Sequence, residues 1–385
     1  MNYFLTEEQN AIQELARDFA QGVIAPAAAG YDQSGEFPWP IVKEMARMDF
    51  FRLWIPEEYE GMNGGVMELV LVTEEFSKAC GGIALALAGT ALGTFPILIS
   101  GDDEQKKRVL PDLASGGALA AFCLTEPEAG SDAAAIQTTA RRDGDDYILN
   151  GTKHFITNGG VAKYYTVIAS TDPSRGSRGA SAFLVEDGTK GLEYGKKEDK
   201  MGIRGSATSE VVFQDCRVPK ANLLGREGQG FMVAMKTLDK SRPGVAAQAL
   251  GIAQGAFDHA VRYARERRQF GQSIASFQAI QFMLADMGTQ IEATRALVYA
   301  TARMIDAGLR DYGKESAMSK VLAADLAMKV TTDAVQIFGG YGYMRDYPVE
   351  KYMRDAKITQ IYEGTNQIQR SVIARHLIKE SASHK

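Results

Sequence analysis

The spacing of apolar positions along the chain changes twice, and the two changes divide it into three regions. Up to about residue 120, apolar residues recur three and four apart, the spacing that buries one face of a helix. Thr6 and Gln9 form a capping pair ahead of the stripe Ile12, Leu15, Ala16, Phe19 and Val23, and Pro26 is expected to stop that helix. Further helices are expected from Ile41 to Met48, ahead of the Phe50-Phe51 turn, and from Met67 to Ser77, with Glu74 and Glu75 on the polar side. The run from Gly82 to Ser100 has no charge and almost no polar face. It reads as a helix buried on all sides, or one lining a dry cavity.

From about Phe122 to Arg217 the pattern becomes that of strands: Tyr147 to Leu149, Tyr164 to Ala169, Ala182 to Val185 and Val211 to Phe213. Gly144-Asp145, Asn158-Gly159-Gly160 and Asp187-Gly188 supply turns between them. Helical spacing returns at about Gly228, with long segments around Phe231 to Arg268, Phe277 to Ala307 and Ser316 to Phe338, then a last helix opening at Asn366. The fold expected is mainly α with a central β-domain: an N-terminal α-helical domain over 1–120, an antiparallel β-domain over 121–226 and a C-terminal four-helix bundle over 227–385. No internal repeat is evident.

Composition narrows the function classes. A chain of 385 residues exceeds one ordinary core, and 45% hydrophobic with 24% charged residues is that of a globular protein rather than a disordered one. A net charge of -5 gives no general reason to bind nucleic acid or an anionic membrane. Cys80, Cys123 and Cys216 lack both CxxC spacing and an even framework, which fits a reducing compartment. The start, Met1 to Glu8, has neither the basic-then-apolar pattern of a signal peptide nor an Arg-rich transit pattern, and no membrane-spanning segment is expected. These readings together give a cytoplasmic protein or a matured soluble form.

Metal and triad chemistry find little support. HExxH, EF-hand, GxxxxGK[ST] and strand-to-helix GxGxxG patterns are missing, and Gly225 to Gly230 orders its glycines as a loop does. His154, His259, His376 and His384 have no ligand-spaced partners within their own segments, so no metal is expected. What remains suits a flat, phosphate-bearing cofactor. Thr125 to Asp132 and Thr157 to Gly160 offer hydroxyls and turns of backbone amides, though each alone is equally an ordinary turn. Arg265, Arg267 and Arg268 either clamp a pyrophosphate or complement a helix C-terminus.

One carboxylate stands apart. Glu363, in Ile361-Tyr362-Glu363-Gly364-Thr365-Asn366-Gln367, lies in a Gly-containing turn ahead of a helix that Asn366 and Gln369 are expected to cap. A side chain fixed there can act as a base while its backbone N–H stays free to donate to an incoming oxygen. Complementing the helix dipole is the plainer alternative.

Six segments in order resemble the acyl-CoA dehydrogenases over essentially the whole chain: Phe122-Cys123-Leu124-Thr125-Glu126-Pro127 with Ala129-Gly130-Ser131-Asp132, Phe155-Ile156-Thr157-Asn158-Gly159, Asp239-Lys240-Ser241-Arg242, Arg267 with Gln269-Phe270-Gly271, Gln336 to Gly340, and Ile361 to Thr365. The resemblance is to short- and medium-chain members, and Tyr194 to Gly202 is similar to bacterial butyryl-CoA dehydrogenases. It implies FAD between the β-domain and the C-terminal helices. Phe122, Leu124, Thr125, Phe155 and Thr157 would adjoin the flavin ring, and Thr365 and Gln367 would reach the cofactor beside the base. Arg267, Gln269, Phe270, Gln278, Gln336, Gly339 and Gly340 would hold the adenine and pyrophosphate part across a subunit boundary, in a homotetramer built as a dimer of dimers. Ser131, Asp239, Arg242 and Gly364 would line the CoA site, with Ala84 and Ala88 on the acyl-pocket floor.

The same resemblance implies the chemistry. Glu363 would take the α-proton of an acyl-CoA thioester as the β-hydrogen leaves as hydride to the flavin, giving the trans-2-enoyl-CoA, and an electron-transfer flavoprotein would take the electrons. The Glu363 N–H and a flavin ribityl hydroxyl would hold the thioester oxygen, each contributing about 3 kcal/mol. A subgroup of the family carries its base on the helix of Asp239 to Arg242, but Ser241 cannot serve, which leaves Glu363. Phe155 stands where many members have tryptophan. The implied substrate is a short- to medium-size acyl group, with branched or ring acyl groups and an oxidase activity as alternatives; a scaffold without turnover would require a missing base.

Overall fold

The computed structural model describes residues 3–383. Six helices build the N-terminal region: α1 (Glu7–Phe19), α2 (Ala25–Ser34), α3 (Trp39–Arg47), α4 (Val66–Ala79), α5 (Gly81–Ser100) and α6 (Asp103–Ala114). The Thr6–Gln9 capping box forms as expected. Pro26, in contrast, does not stop the helix. A wide π-turn over Ala20–Ile24 opens the hydrogen-bond ladder, and the proline falls in the first turn of α2, where its missing N–H costs nothing.

The apolar run forms α5, buried against α4, β1 (Ala120–Cys123) and α7 (Gly230–Glu266). Its twenty uncharged residues are long enough to cross a membrane, which corrects the expectation that no segment approaches that length. Most of the helix is buried inside the protein, so its apolar surface meets other helices and the sheet rather than lipid.

The central sheet continues with β2 (Thr139–Asp143), β3 (Asp146–Thr157), β4 (Tyr164–Ser170), β5 (Ala180–Glu186), β6 (Leu192–Lys197), β7 (Thr208–Pro219) and β8 (Leu223–Leu224). Its order is β6-β7-β3-β2-β4-β5-β8, with β1 also paired to β4. The sheet is mixed rather than antiparallel as expected, because β1 and β2 both run parallel to β4. Alternation within a strand reports which face is buried, not the direction of its neighbour, so those parallel pairs left no local mark.

Behind the sheet, α7 packs on α8 (Gln278–Asp306) and α9 (Gly313–Phe338), and α10 (Val349–Thr359) and α11 (Asn366–Ser383) complete the C-terminal region. One hydrophobic core joins the N-terminal helices to the sheet and a second lies among α4, α7, α8, α9 and α10. α4 and α7 reach across both halves, so the cleft between sheet and C-terminal helices has rigid walls.

Candidate active site

A cavity of about 420 Å³ opens between the sheet, α5, α7 and the start of α11. Its apolar wall follows helical spacing on α5, through Leu85, Ala88, Gly89, Leu92 and Phe95. Ala88 therefore lines it as expected. Ala84 does not: it is buried in the core, and at its level of the helix Leu85 faces the cavity instead. From α7 come Leu238, Ser241, Arg242, Gly244, Val245 and Gln248.

The sheet contributes two edges. Phe122 lies in β1 and Leu124 and Thr125 follow it, and Phe155 and Thr157 come from the end of β3, where a register shift against β7 turns the strand. Phe155 has φ +58° and is 62% exposed, with its ring 4.0 Å from that of His154. A bare aromatic face beside two threonines fits a flat ring system. The fully buried Lys153 braces this edge by donating to the Leu124 carbonyl at 3.1 Å and to Glu126 at 2.7 Å. Glu126 also accepts from the backbone N–H groups of Gln137 and Thr138. Burial works against the Glu126 charge, yet Lys153 and these donors hold its carboxyl below the usual carboxylate range.

Glu363 stands at the head of the cavity in a left-handed turn, with φ +51° followed by +88° at Gly364. A non-glycine residue in that region is strained, a condition common at functional sites. Among the described residues, nothing accepts a hydrogen bond from the Glu363 backbone N–H. The Ser241 hydroxyl donates to Glu363 Oε2 at 2.5 Å. Burial pushes the Glu363 carboxyl above its ordinary value, opposed by that hydrogen bond and by the charges of Arg242 and Lys320. Such a carboxylate is a stronger base than a solvated one. The helix cap lies one residue earlier than expected: Thr365 Oγ1 accepts from the Ile368 N–H, while Asn366 turns to Asp325 and Lys320.

The other expected residues divide between this cavity and elsewhere. Ser131, Arg242 and Gly364 line it; Asp239 does not, and instead accepts from Arg242 at 2.5 Å. Thr365 is engaged in capping, and Gln367 is exposed on the first turn of α11. A second cavity of about 500 Å³ gathers Arg267, Gln269, Gly339 and Gly340 with Tyr263, Phe338 and Tyr341. Arg267 lies 5.2 Å from the Tyr341 ring centre. Phe270, 92% exposed, and the exposed Gln278 and Gln336 are outside its lining. Among the described residues no group of three or more His, Cys, Asp or Glu is placed to hold a metal ion; His384 lies outside them.

Several site residues carried no motif. The Gln248 side-chain oxygen accepts from the Tyr362 hydroxyl, and its nitrogen donates to the Gly81 carbonyl at 2.9 Å, which ties the turn to α7 and α5. Lys320 was legible only as a lone lysine on the Ala- and Ser-rich face of α9.

Comparison with known proteins follows the same three regions. Models of the acyl-CoA dehydrogenase N-terminal, middle and C-terminal domains match residues 6–117, 121–216 and 228–378. An acyl-CoA dehydrogenase of Bacillus subtilis is 50% identical over 97% of this chain and 99% of its own. A short-chain specific acyl-CoA dehydrogenase of Clostridium acetobutylicum is 48% identical over 98% and 100%. Among solved structures, butyryl-CoA dehydrogenase from Megasphaera elsdenii superposes with a TM-score of 0.96 at 48% identity, covering 98% of this chain and 100% of that one. A chain in a structure of the electron transferring flavoprotein of Acidaminococcus fermentans gives 0.96 at 52% identity, over 98% and 99%. An acyl-CoA dehydrogenase complexed with FAD from Bacillus anthracis gives 0.93 at 34% identity, over 99% of this chain and 68% of that one.

Proposed function

Since the chain belongs to the acyl-CoA dehydrogenase family, and is thus an FAD-dependent oxidoreductase acting on CH–CH bonds, we propose that it converts a short- to medium-size acyl-CoA thioester to the trans-2-enoyl-CoA with Glu363 as the base. The observation that carries this reading is the Glu363 carboxylate, raised in basicity by burial, at the head of a largely apolar cavity that Asp132 also lines, and beside a backbone N–H with no acceptor among the described residues. FAD, when bound, supplies the acceptor for the two electrons and the β-hydrogen.

Every other role falls to the chain itself. Glu363 takes the α-proton, and its N–H holds the thioester oxygen as charge develops there. Leu124, Thr125, Phe155 and Thr157 present one wall to the flavin ring, with Phe122 behind them and Thr365 and Gln367 beside the base. Ser131, Arg242 and Gly364 meet the CoA portion, with Asp239 holding Arg242, and Ala88 faces the acyl chain. Arg267, Gln269, Phe270, Gln278, Gln336, Gly339 and Gly340 serve the adenine and pyrophosphate part of a neighbouring subunit's FAD in a homotetramer. The gathering of Arg267, Gln269, Gly339 and Gly340 around a second, exposed cavity supports that division. An electron-transfer flavoprotein is the proposed acceptor, supported by the match to a chain in the Acidaminococcus structure, and the proposed location is the cytoplasm.

The test is anaerobic mixing of the FAD-loaded protein with C4 to C12 acyl-CoA thioesters, followed by air and then by an electron-transfer flavoprotein. Flavin bleaching with C4 to C8 substrates, slow recovery in air and fast recovery with the partner are expected. No bleaching with any acyl-CoA sinks the reading; fast recovery in air makes the protein an oxidase.

A further inference from the structure

Behind the turn that carries Glu363 stands a lysine for which the proposed chemistry has no use. Lys320 is in the first half of α9 and 0% exposed. Its ammonium donates to the Gly364 carbonyl at 2.8 Å and to Asn366 Oδ1 at 2.9 Å. Gln369 Nε2 grips the same turn from α11, donating to the Glu363 and Gly364 carbonyls at 3.0 and 3.3 Å. Asn366 passes the connection on, since its Nδ2 donates to Asp325 at 2.8 Å and Asp325 also accepts from Gln360 and Arg370. Two consecutive residues at positive φ are thus pinned through their carbonyl oxygens, and the Glu363 N–H has no acceptor among the described residues.

Burying a lysine without a carboxylate in contact is costly, and a fold keeps one where the charge or the donors are needed. Burial lowers the Lys320 ammonium to about 8; Glu363 and Asp325 favour its charge and Arg242 opposes it. It is therefore mostly protonated at neutral pH. Its positive charge in turn favours the ionised form of Glu363.

We infer that Lys320 is a positioning residue for the base: it fixes the strained Glu363–Gly364 turn through the Gly364 carbonyl and Asn366, and sets a positive charge behind it. This rests on the reading of Glu363 as the base. Lys320→Met removes both the tie and the charge, whereas Lys320→Arg keeps the charge but replaces the compact ammonium with a bulkier, planar group that does not fit between the two acceptors.

The experiment compares both variants with the wild type as FAD-loaded protein, measuring FAD content, melting temperature, kcat, KM and the pH profile of kcat/KM. In Lys320→Met, kcat should fall about 10- to 100-fold while KM changes by less than about threefold. Its acid limb should move up by about one pH unit. In Lys320→Arg, kcat should fall while the acid limb stays at the wild-type position. A limb that moves in both variants or in neither, or a kcat loss that merely follows lost FAD content, overturns the inference. Should Lys320→Met fail to fold, Lys320→Arg decides alone: a wild-type kcat or a displaced limb overturns it. Turnover retained by Glu363→Gln would instead sink the assignment of the base, an outcome separate from these.

Discussion

The Ser241 hydroxyl donates to Glu363 Oε2 at 2.5 Å, joining the middle of α7 to the turn before α11 across the head of the cavity. The sequence position that cannot itself act as a base thus supports the proposed one. A hydrogen bond to an ionised group contributes about 1.5–3 kcal/mol, and one pKa unit corresponds to about 1.4 kcal/mol. Ser241→Ala should therefore raise the Glu363 pKa further. Because the proposed base must be ionised, the acid limb of kcat/KM should move upward, and an unmoved limb in a pH–rate comparison would count against this role.

Glu363→Gln should keep the fold and bound FAD but lose flavin bleaching by substrate, a loss of about 10²- to 10⁴-fold or more. It should also be slightly more stable at neutral pH. The folded-state pKa of Glu363 is raised above its unfolded value, so its stabilising contribution is present below the unfolded pKa and is lost as pH rises through the folded pKa. Neutral glutamine removes that loss. Stopped-flow absorbance and thermal melts at pH 5 and pH 8 check both parts; near-normal bleaching would exclude Glu363 as the base.

Arg267→Ala should weaken FAD retention and the oligomer together. The guanidinium reaches over Tyr341 in the second cavity, and losing a charge-assisted phosphate contact costs roughly 1.5–3 kcal/mol. Titration of apoprotein with FAD alongside sedimentation velocity gives both numbers, and full FAD affinity in a dissociated variant would contradict the shared site.

Ala88→Leu should shorten the accepted acyl chain, because Ala88 faces the cavity from α5. Each methylene excluded loses up to about 0.8 kcal/mol of binding, so kcat/KM should drop first for C8, then C6, with C4 least affected. Ala84→Leu, at a core position outside the lining, should lower the melting temperature and leave the chain-length profile alone. Identical profiles for Ala88→Leu and the wild type would move the acyl pocket elsewhere.

How far the chain could be read depended on the range of each interaction. The two helical regions, the buried character of α5 and the place of Glu363 before α11 were legible because period, charge and turn residues are local properties. The parallel pairing of β1 and β2 with β4 was not, since it joins segments separated by the β2–β3 hairpin. β6 escaped notice because it lies at the sheet edge and is largely exposed, with little alternation to betray it. Pro26 misled because its tolerance depends on the wide turn before it. Asn366 resembled a cap, but a buried lysine 46 residues away claims its side chain. Gln248 and Lys320 belong to the site through tertiary contact alone.

The uncharged helix α5 also sets an order on synthesis. It is made long before α7 exists to cover it, so a nascent chain that ends soon after α6 carries an uncharged twenty-residue helix with no complete partner. In the folded chain the N-terminal helices share their core with the sheet and with the start of α7. A fragment ending at residue 117 should accumulate as aggregates or on lipid vesicles, and co-expression with residues 118–385 should return it to solution; a monodisperse fragment in gel filtration would show that α5 can be sheltered by its own domain.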